Sequence, residues 1–292
     1  MRAAEAPERR RTAGRFWRSP LARTGVVLLG LVALFTVVGP FLYTASPTRT
    51  HPADALQGPS ATYLLGTDEL GRDILARLIH AGLISIPAGI LAVGIGAVLG
   101  SLIGTAAGFV GGFVDTAVMR IVDVMLSFPT MLTSIVVVAI LGPSIQTAVL
   151  AVSIAALPSY ARVARSAVLP LRDRAFIEAA AVSNTSRMGI LFRHVVPNAM
   201  DVLLVLLVIG VGNGMINLAA LSFLGIGVQP PQADWGVMLT QGVRDVYLVP
   251  LSAIAPAALL LITVLGINFI GEGLGSALRV DSMRGMRRRV PR

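Results

Sequence analysis

The side chains best suited to ligating a metal or moving a proton are three histidines, His51, His80 and His194, and no two of them stand at metal-ligand spacing. Such isolation reads as surface or interface histidines, so no metal site is expected. Cysteine is absent, which removes thiolate ligation, thiol nucleophiles and disulfides together. Neither an H-E-x-x-H pair nor a G-x-S-x-G turn occurs. A loop that cradles nucleotide phosphates needs a lysine, and all 24 basic side chains are arginine. Gly94 and Gly96, and Gly210, Gly212 and Gly214, look like fragments of a dinucleotide fingerprint, but they lie inside apolar runs with no strand before them. The chain therefore reads as a non-enzyme, with no catalytic residue and no cofactor of its own. Its informative polar groups are of another kind. Asn213, Asn217 and Asn268 interrupt long apolar runs, where an amide must find a hydrogen-bond partner or a water-filled cavity. They are candidates for lining a path, and equally for bonding one helix to another.

The elements that would position them are membrane spans. Of 292 residues 55% are hydrophobic and only 13% charged, with a mean hydropathy of +0.79, outside the usual range of a soluble domain. A bilayer core takes about 20 apolar residues as a helix. Six stretches qualify, near Leu21 to Tyr43, Gly82 to Val110, Thr116 to Leu141, Ile145 to Val163, Ala199 to Leu221 and Leu251 to Gly275. The fold class is all-α, a polytopic membrane protein of six transmembrane helices. A basic stretch before an apolar run also has the shape of a secretory signal, but the first run is long enough to span and no small-residue cleavage site follows Leu42. With six spans, twenty arginines fall at the two termini and on their side of the bundle, against four (Arg49, Arg72, Arg77 and Arg244) on the other. By the positive-inside rule both termini are cytoplasmic in a bacterial inner membrane. The net charge of +9 belongs to this membrane-flanking arginine, not to a nucleic-acid surface, which would interleave its cations with stacking aromatics. The organisation expected is an Arg-rich cytoplasmic tail over 1–20, a transmembrane domain over 21–275, and a second Arg-rich tail over 276–292.

Two segments stand out. In the second span Gly96, Gly100, Gly104, Gly108 and Gly112 recur every fourth residue, a groove into which another backbone can pack, either statically or as a sliding seam. Between the fourth and fifth spans lies a cytoplasmic stretch of some 35 residues, about 164–197, longer than a helix connection needs. Asp173 can cap a helix with the apolar stripe Phe176, Ile177, Ala180 and Ala181, and Asn184 suits the left-handed position that stops it. Ser186 can cap a second helix through Met188, Leu191, Phe192 and Val195, with Pro197 marking the return to the membrane. A helix-turn-helix with an apolar stripe is a docking element.

The run Glu178-Ala179-Ala180, with Asn184 and Pro197 at their offsets, resembles the EAA loop of bacterial ABC importer permeases. Three further runs, Leu65 to Ile74 (LGTDELGRDI), Arg193 to Asn198 (RHVVPN) and Leu221 to Pro231 (LSFLGIGVQPP), are similar to the second permease subunit of the dipeptide/oligopeptide/nickel importers. The similarity extends from about Phe16 to Met283. It implies a type I ABC importer permease fold and a coupling loop in which Glu178, Ala179, Ala180, Asn184, Arg193 and Pro197 meet an ATPase. It also implies a homologous second permease, two ABC ATPase subunits carrying the ATP and Mg2+, and an external substrate-binding protein. Two positions depart from the pattern: Asn184 stands where the family has Gly, and Leu218 where many relatives carry an acid.

On the outer side, Asp68 or Thr67 can cap a helix running to about His80, and Asp234 can cap another beginning at Trp235 after Pro230 and Pro231. Asp68, Arg72, Asp73 and Trp235 are candidate contacts for the binding protein. Glu272, near the cytoplasmic end of the last span, is expected to pair with an arginine. The cargo expected is a dipeptide or oligopeptide. The alternatives are nickel or a metal chelate through the same kind of permease or, from another class, a self-contained secondary transporter or channel, which would show coupling ionisable groups at mid-membrane.

Overall fold

The computed structural model describes residues 13–172, 174 and 185–287, and among these it contains no strand, only one antiparallel bridge between Thr67 and Asp73. The first span opens on Pro20, which suits a first helical turn because its missing N–H needs no partner there, behind the cap Ser19. Helix α1 (Pro20–Ala33) continues through a π-helical turn, Leu34–Val38, and ends in Gly39–Leu42. The others are α2 (Ile74–Val110), α3 (Gly112–Ser127), α4 (Thr130–Leu141), α5 (Ile145–Arg172), α6 (Val196–Phe223), α7 (Trp235–Arg244) and α8 (Leu251–Arg287). Five continuous helical stretches are long and apolar enough to cross a membrane, and α3 with α4 makes a sixth bent by 92°. Residues 44–73 and 224–250 lie together at one end of the bundle, called here the loop end.

The fourth and last spans run on past their expected ends, Val163 and Gly275, to Arg172 and Arg287, and three further boundaries differ from the sequence expectation. The helix expected to start at Asp68 and stop at His80 is the first part of the second span: α2 runs unbroken for 37 residues from the cap Asp73, whose carboxylate accepts the Ala76 N–H at 3.0 Å. Nothing between Ile74 and Gly82 ends a helix, and a lone glycine is tolerated within one. The third span is two helices, because Pro129 forces Phe128 into an extended conformation (φ −94°, ψ 139°) and so stops α3. The return to the membrane is not a turn at Pro197. A helical turn, Arg187–Ile190, and a π-helical turn, Leu191–Val195, run straight into α6, where the Val196 N–H reaches back to the Leu191 carbonyl. That widened turn fits the proline ring into a continuous helix.

The glycine groove is filled by the chain itself. A Cβ at Gly96 would lie 2.6 Å from the Ser153 carbonyl oxygen, one at Gly100 would meet Leu157 and Tyr160, one at Gly104 would strike Ala161, and one at Gly108 would touch Arg165. Each of these neighbours belongs to α5, against which α2 packs more extensively than any other pair of helices in the fold. Gly112 is not part of the groove; it faces open space with φ +60° and forms, with Gly111, the hinge between α2 and α3.

Candidate functional site

Helix α6 is held on three sides. A side chain at Gly210 would meet Tyr160 of α5, one at Gly214 would meet Val93 of α2, and Gly212 faces Val264 and Asn268 of α8. The glycines rejected as a nucleotide motif are thus the close-approach points of the central helix. The fourth side is open: Asn213 and Ile216 are exposed there, with Phe223 at the loop end. One turn beyond Asn213, the Asn217 amide is half-buried and donates to the Asn213 carbonyl oxygen at 3.0 Å. Asn268 stands apart from this pair, half-buried in the α6–α8 contact.

At the loop end the sequence LGTDELGRDI folds around one carboxylate. Asp68 Oδ1 accepts the N–H groups of Leu70 (2.9 Å) and Arg72 (3.0 Å), while Oδ2 accepts Arg72 Nε at 2.7 Å and Arg77 Nη1 at 2.8 Å. Arg77 then donates Nη2 to Gln241 Oε1 of α7 at 2.8 Å. Asp73, besides capping α2, accepts the Tyr43 hydroxyl from the end of the first span, and burial first, then that bond, pushes the Tyr43 phenol up to about 12. Thr67 accepts the Gln57 N–H and donates to the Asp54 carbonyl, closing the loop. Asp68, Arg72 and Asp73 are each 6% exposed and Trp235 is fully buried. The four candidate binding-protein contacts therefore lie beneath the surface, and what they form is the support of the loop.

Asp234 caps α7 as expected, accepting the Val237 N–H at 2.7 Å and the Ser222 hydroxyl at 2.7 Å. Burial raises its carboxyl above the usual range, opposed by those two bonds. Trp235 locks the helix in place, its indole N–H donating to the Leu78 carbonyl and its backbone N–H to Ser85 Oγ. The sequence marks Tyr43 only as an interfacial anchor at the end of the first span, and gives no site role to Arg77, Gln241 or Ser222. Arg77 carried a signal, as a cation inside the apolar run Ile74–Ile79, where a charge needs a partner; Gln241 and Ser222 carried none.

At the opposite end, Glu178, Ala179, Ala180 and Asn184 lie outside the described residues, as does Asp173. The elements that flank them are described. Leu191 and Val195 pack with Ile190 and Ala199 against Val168 of α5, whereas Met188 and Phe192, one turn apart, are exposed, as are Arg193 and Pro197. The expected apolar stripe is thus two faces, one seated on α5 and one outward. Two ion pairs tie α5 to α3 here: Arg165 grips Asp115 with two bonds of 2.5 and 2.6 Å, and Arg162 pairs with Asp123. Glu272 is exposed and has no ion-pair partner among the described residues, contrary to expectation.

Comparison with known proteins agrees with this architecture. Residues 100–279 match the family described as binding-protein-dependent transport system inner membrane component, and residues 9–59 match the N-terminal transmembrane domain of oligopeptide transport permease C. The chain is 37% identical over 280 residues to the dipeptide transport system permease protein DppC of Alkalihalophilus pseudofirmus, covering 93% of this chain and 92% of the relative. It is 39% identical over 265 residues to the glutathione transport system permease protein GsiD of Escherichia coli, covering 90% and 88%. A chain of the MetNI methionine ABC transporter superposes with a TM-score of 0.55 at 22% identity, over 69% of this chain and 95% of that one.

Proposed function

The chain belongs to the binding-protein-dependent transport system inner membrane components, and on that premise we propose that it forms half of the path through which an ATP-driven importer moves peptides delivered by an external binding protein. The observation that carries this reading is the geometry of α6, packed on three sides and open on the fourth, where Asn213 and Asn217 interrupt the apolar stretch Val202 to Leu221. Two amides on an open face offer neutral donors and acceptors to a passing peptide backbone without a charge that would trap it. A homologous second permease closes that side. Asn268 packs beside Gly212 between α6 and α8 and does not line the path.

Both termini are cytoplasmic, so the loop end faces outward. Glu178, Ala179, Ala180 and Asn184, continued by Arg193 and Pro197 and by the exposed pair Met188 and Phe192, form the docking surface for one of two ATPase subunits, which hold the ATP and Mg2+. Closure of the ATPases draws on this loop, and because α5 and α6 emerge from its two ends, the pull reaches the path directly. Peptide is preferred to bare metal because a metal path would offer imidazole or thiolate ligands, and this chain has no cysteine and three separate histidines. The test is growth of an amino-acid auxotroph on a dipeptide containing the required residue, with the gene deleted and restored. Growth that depends on the gene is expected; unchanged peptide uptake beside lost nickel uptake would refute the choice.

A further inference from the structure

The outer loop, residues 44–73, ends in a turn built on the Asp68 carboxylate. Glu69 and Leu70 are exposed on that turn while Asp68 and Arg72 lie beneath it. Gly71 closes the turn with φ +71°, and a Cβ there would strike the His51 carbonyl, so the turn is pinned to the far end of the loop as well. The side-chain bonds of the Asp68 carboxylate run to Arg72 within the turn and to Arg77 in the first turn of α2, and from Arg77 on to Gln241 of α7, while its backbone carbonyl accepts the Leu56 N–H of the outer loop. Two guanidinium groups share one buried carboxylate, and Arg72 Nη2 is buried with no hydrogen-bond partner among the described residues.

We propose that Asp68 is a positioning residue, the centre of a charge-linked joint through which force on the outer loop sets the relative placement of α2 and α7. This rests on the reading of the chain as an importer permease. A partner pressing on Glu69 and Leu70 displaces the turn whose N–H groups the Asp68 carboxylate holds, and a buried ion pair transmits that displacement because breaking it strands a charge away from water. Arg77 moves with Asp68, and Gln241 moves with Arg77. Because α2 and α7 both pack on α6, whose open face is the proposed path, the joint links arrival of the binding protein to the shape of the path at its outer mouth.

The test uses the whole transporter, purified through a tag on this chain with its ATPase and binding-protein partners and reconstituted in lipid. ATP hydrolysis is measured with and without saturating loaded binding protein. For Asp68→Asn, the joint predicts normal assembly and a basal rate within about twofold of wild type, with the stimulation by binding protein reduced about tenfold. Asp68→Glu should recover part of the stimulation. Gln241→Leu, which cuts the Arg77 link to α7 and leaves both the loop's own bonds and the Trp235 bonds to α2, should lose stimulation with basal hydrolysis retained. If Asp68→Asn fails to assemble, Gln241→Leu decides the matter. Full stimulation in Gln241→Leu, or a parallel fall of basal and stimulated rates in both variants, would overturn the joint and leave a purely structural cluster. Absence of any stimulated hydrolysis in the wild-type complex would instead overturn the importer reading itself.

Discussion

Buried single groups carry the loop end, and their substitutions should be sharply graded. Gly71 adopts φ +71° with the His51 carbonyl in the place a Cβ would take. Gly71→Ala is therefore expected to lose about 1–3 kcal/mol, through a strained backbone and a displaced strand of loop. A lower unfolding temperature of the purified protein in detergent checks it, and an unchanged one would mean the loop can open without consequence. Asp234 offers a finer test. Asp234→Ala removes the cap of α7 and leaves the Ser222 hydroxyl without its acceptor, at a cost of about 2 kcal/mol, whereas Asp234→Asn retains a capping oxygen. Burial raises the Asp234 pKa, so the folded protein holds this proton more tightly than the unfolded chain does. The carboxyl's contribution to stability is greatest below the unfolded pKa and declines as pH rises through the folded one. The Asn variant lacks that decline. Its stability relative to wild type should therefore rise with pH across that window and level off above it, which melts at several pH values would show.

Among the elements, the α2–α5 seam decides whether the chain folds. Gly100→Leu places a branched side chain where Leu157 and Tyr160 of α5 already stand, so the damage is expected within this chain before any partner is met. Limited proteolysis of the chain expressed alone should show faster cleavage; a normal pattern with lost copurification of the second permease would place the groove in the interface between subunits. The groove, the first span, α7 with its cap and the central helix with its amides were all legible in the sequence, because hydropathy, small-residue period and capping residues are local signals. The break at Pro129 was not legible, because Pro87, Pro158 and Pro256 also stand in long apolar runs and lie inside continuous helices. What could not be read was burial. Asp68, Arg72 and Asp73 look like a solvated, charged loop in sequence, and only the distant partners Tyr43 and Gln241 reveal that the charges are inward. The same holds for Arg165 and Asp115, fifty residues apart, whose pairing no local pattern encodes.

For the whole molecule, orientation and energy source are the matters to settle. Tyr247 is 96% exposed at the α7–α8 turn, and Glu178 belongs to the proposed ATPase-docking loop. In intact cells an impermeant thiol reagent is expected to label Tyr247→Cys and to reach Glu178→Cys only after the membrane is opened. Labelling of position 178 from outside would reverse the topology derived from the arginine distribution. The central claim is that this chain moves peptide only as part of an ATP-driven assembly, having no phosphate-binding loop and neutral amides at mid-span. The most direct measurement is accumulation of a labelled dipeptide in proteoliposomes, comparing the complete complex supplied with ATP and loaded binding protein against the lone chain under a proton or sodium gradient. The account predicts accumulation by the complex that stops when ATP is withdrawn, and none by the lone chain under either gradient. Gradient-driven accumulation by the lone chain, without ATP or any partner, would contradict it and identify a self-contained secondary transporter.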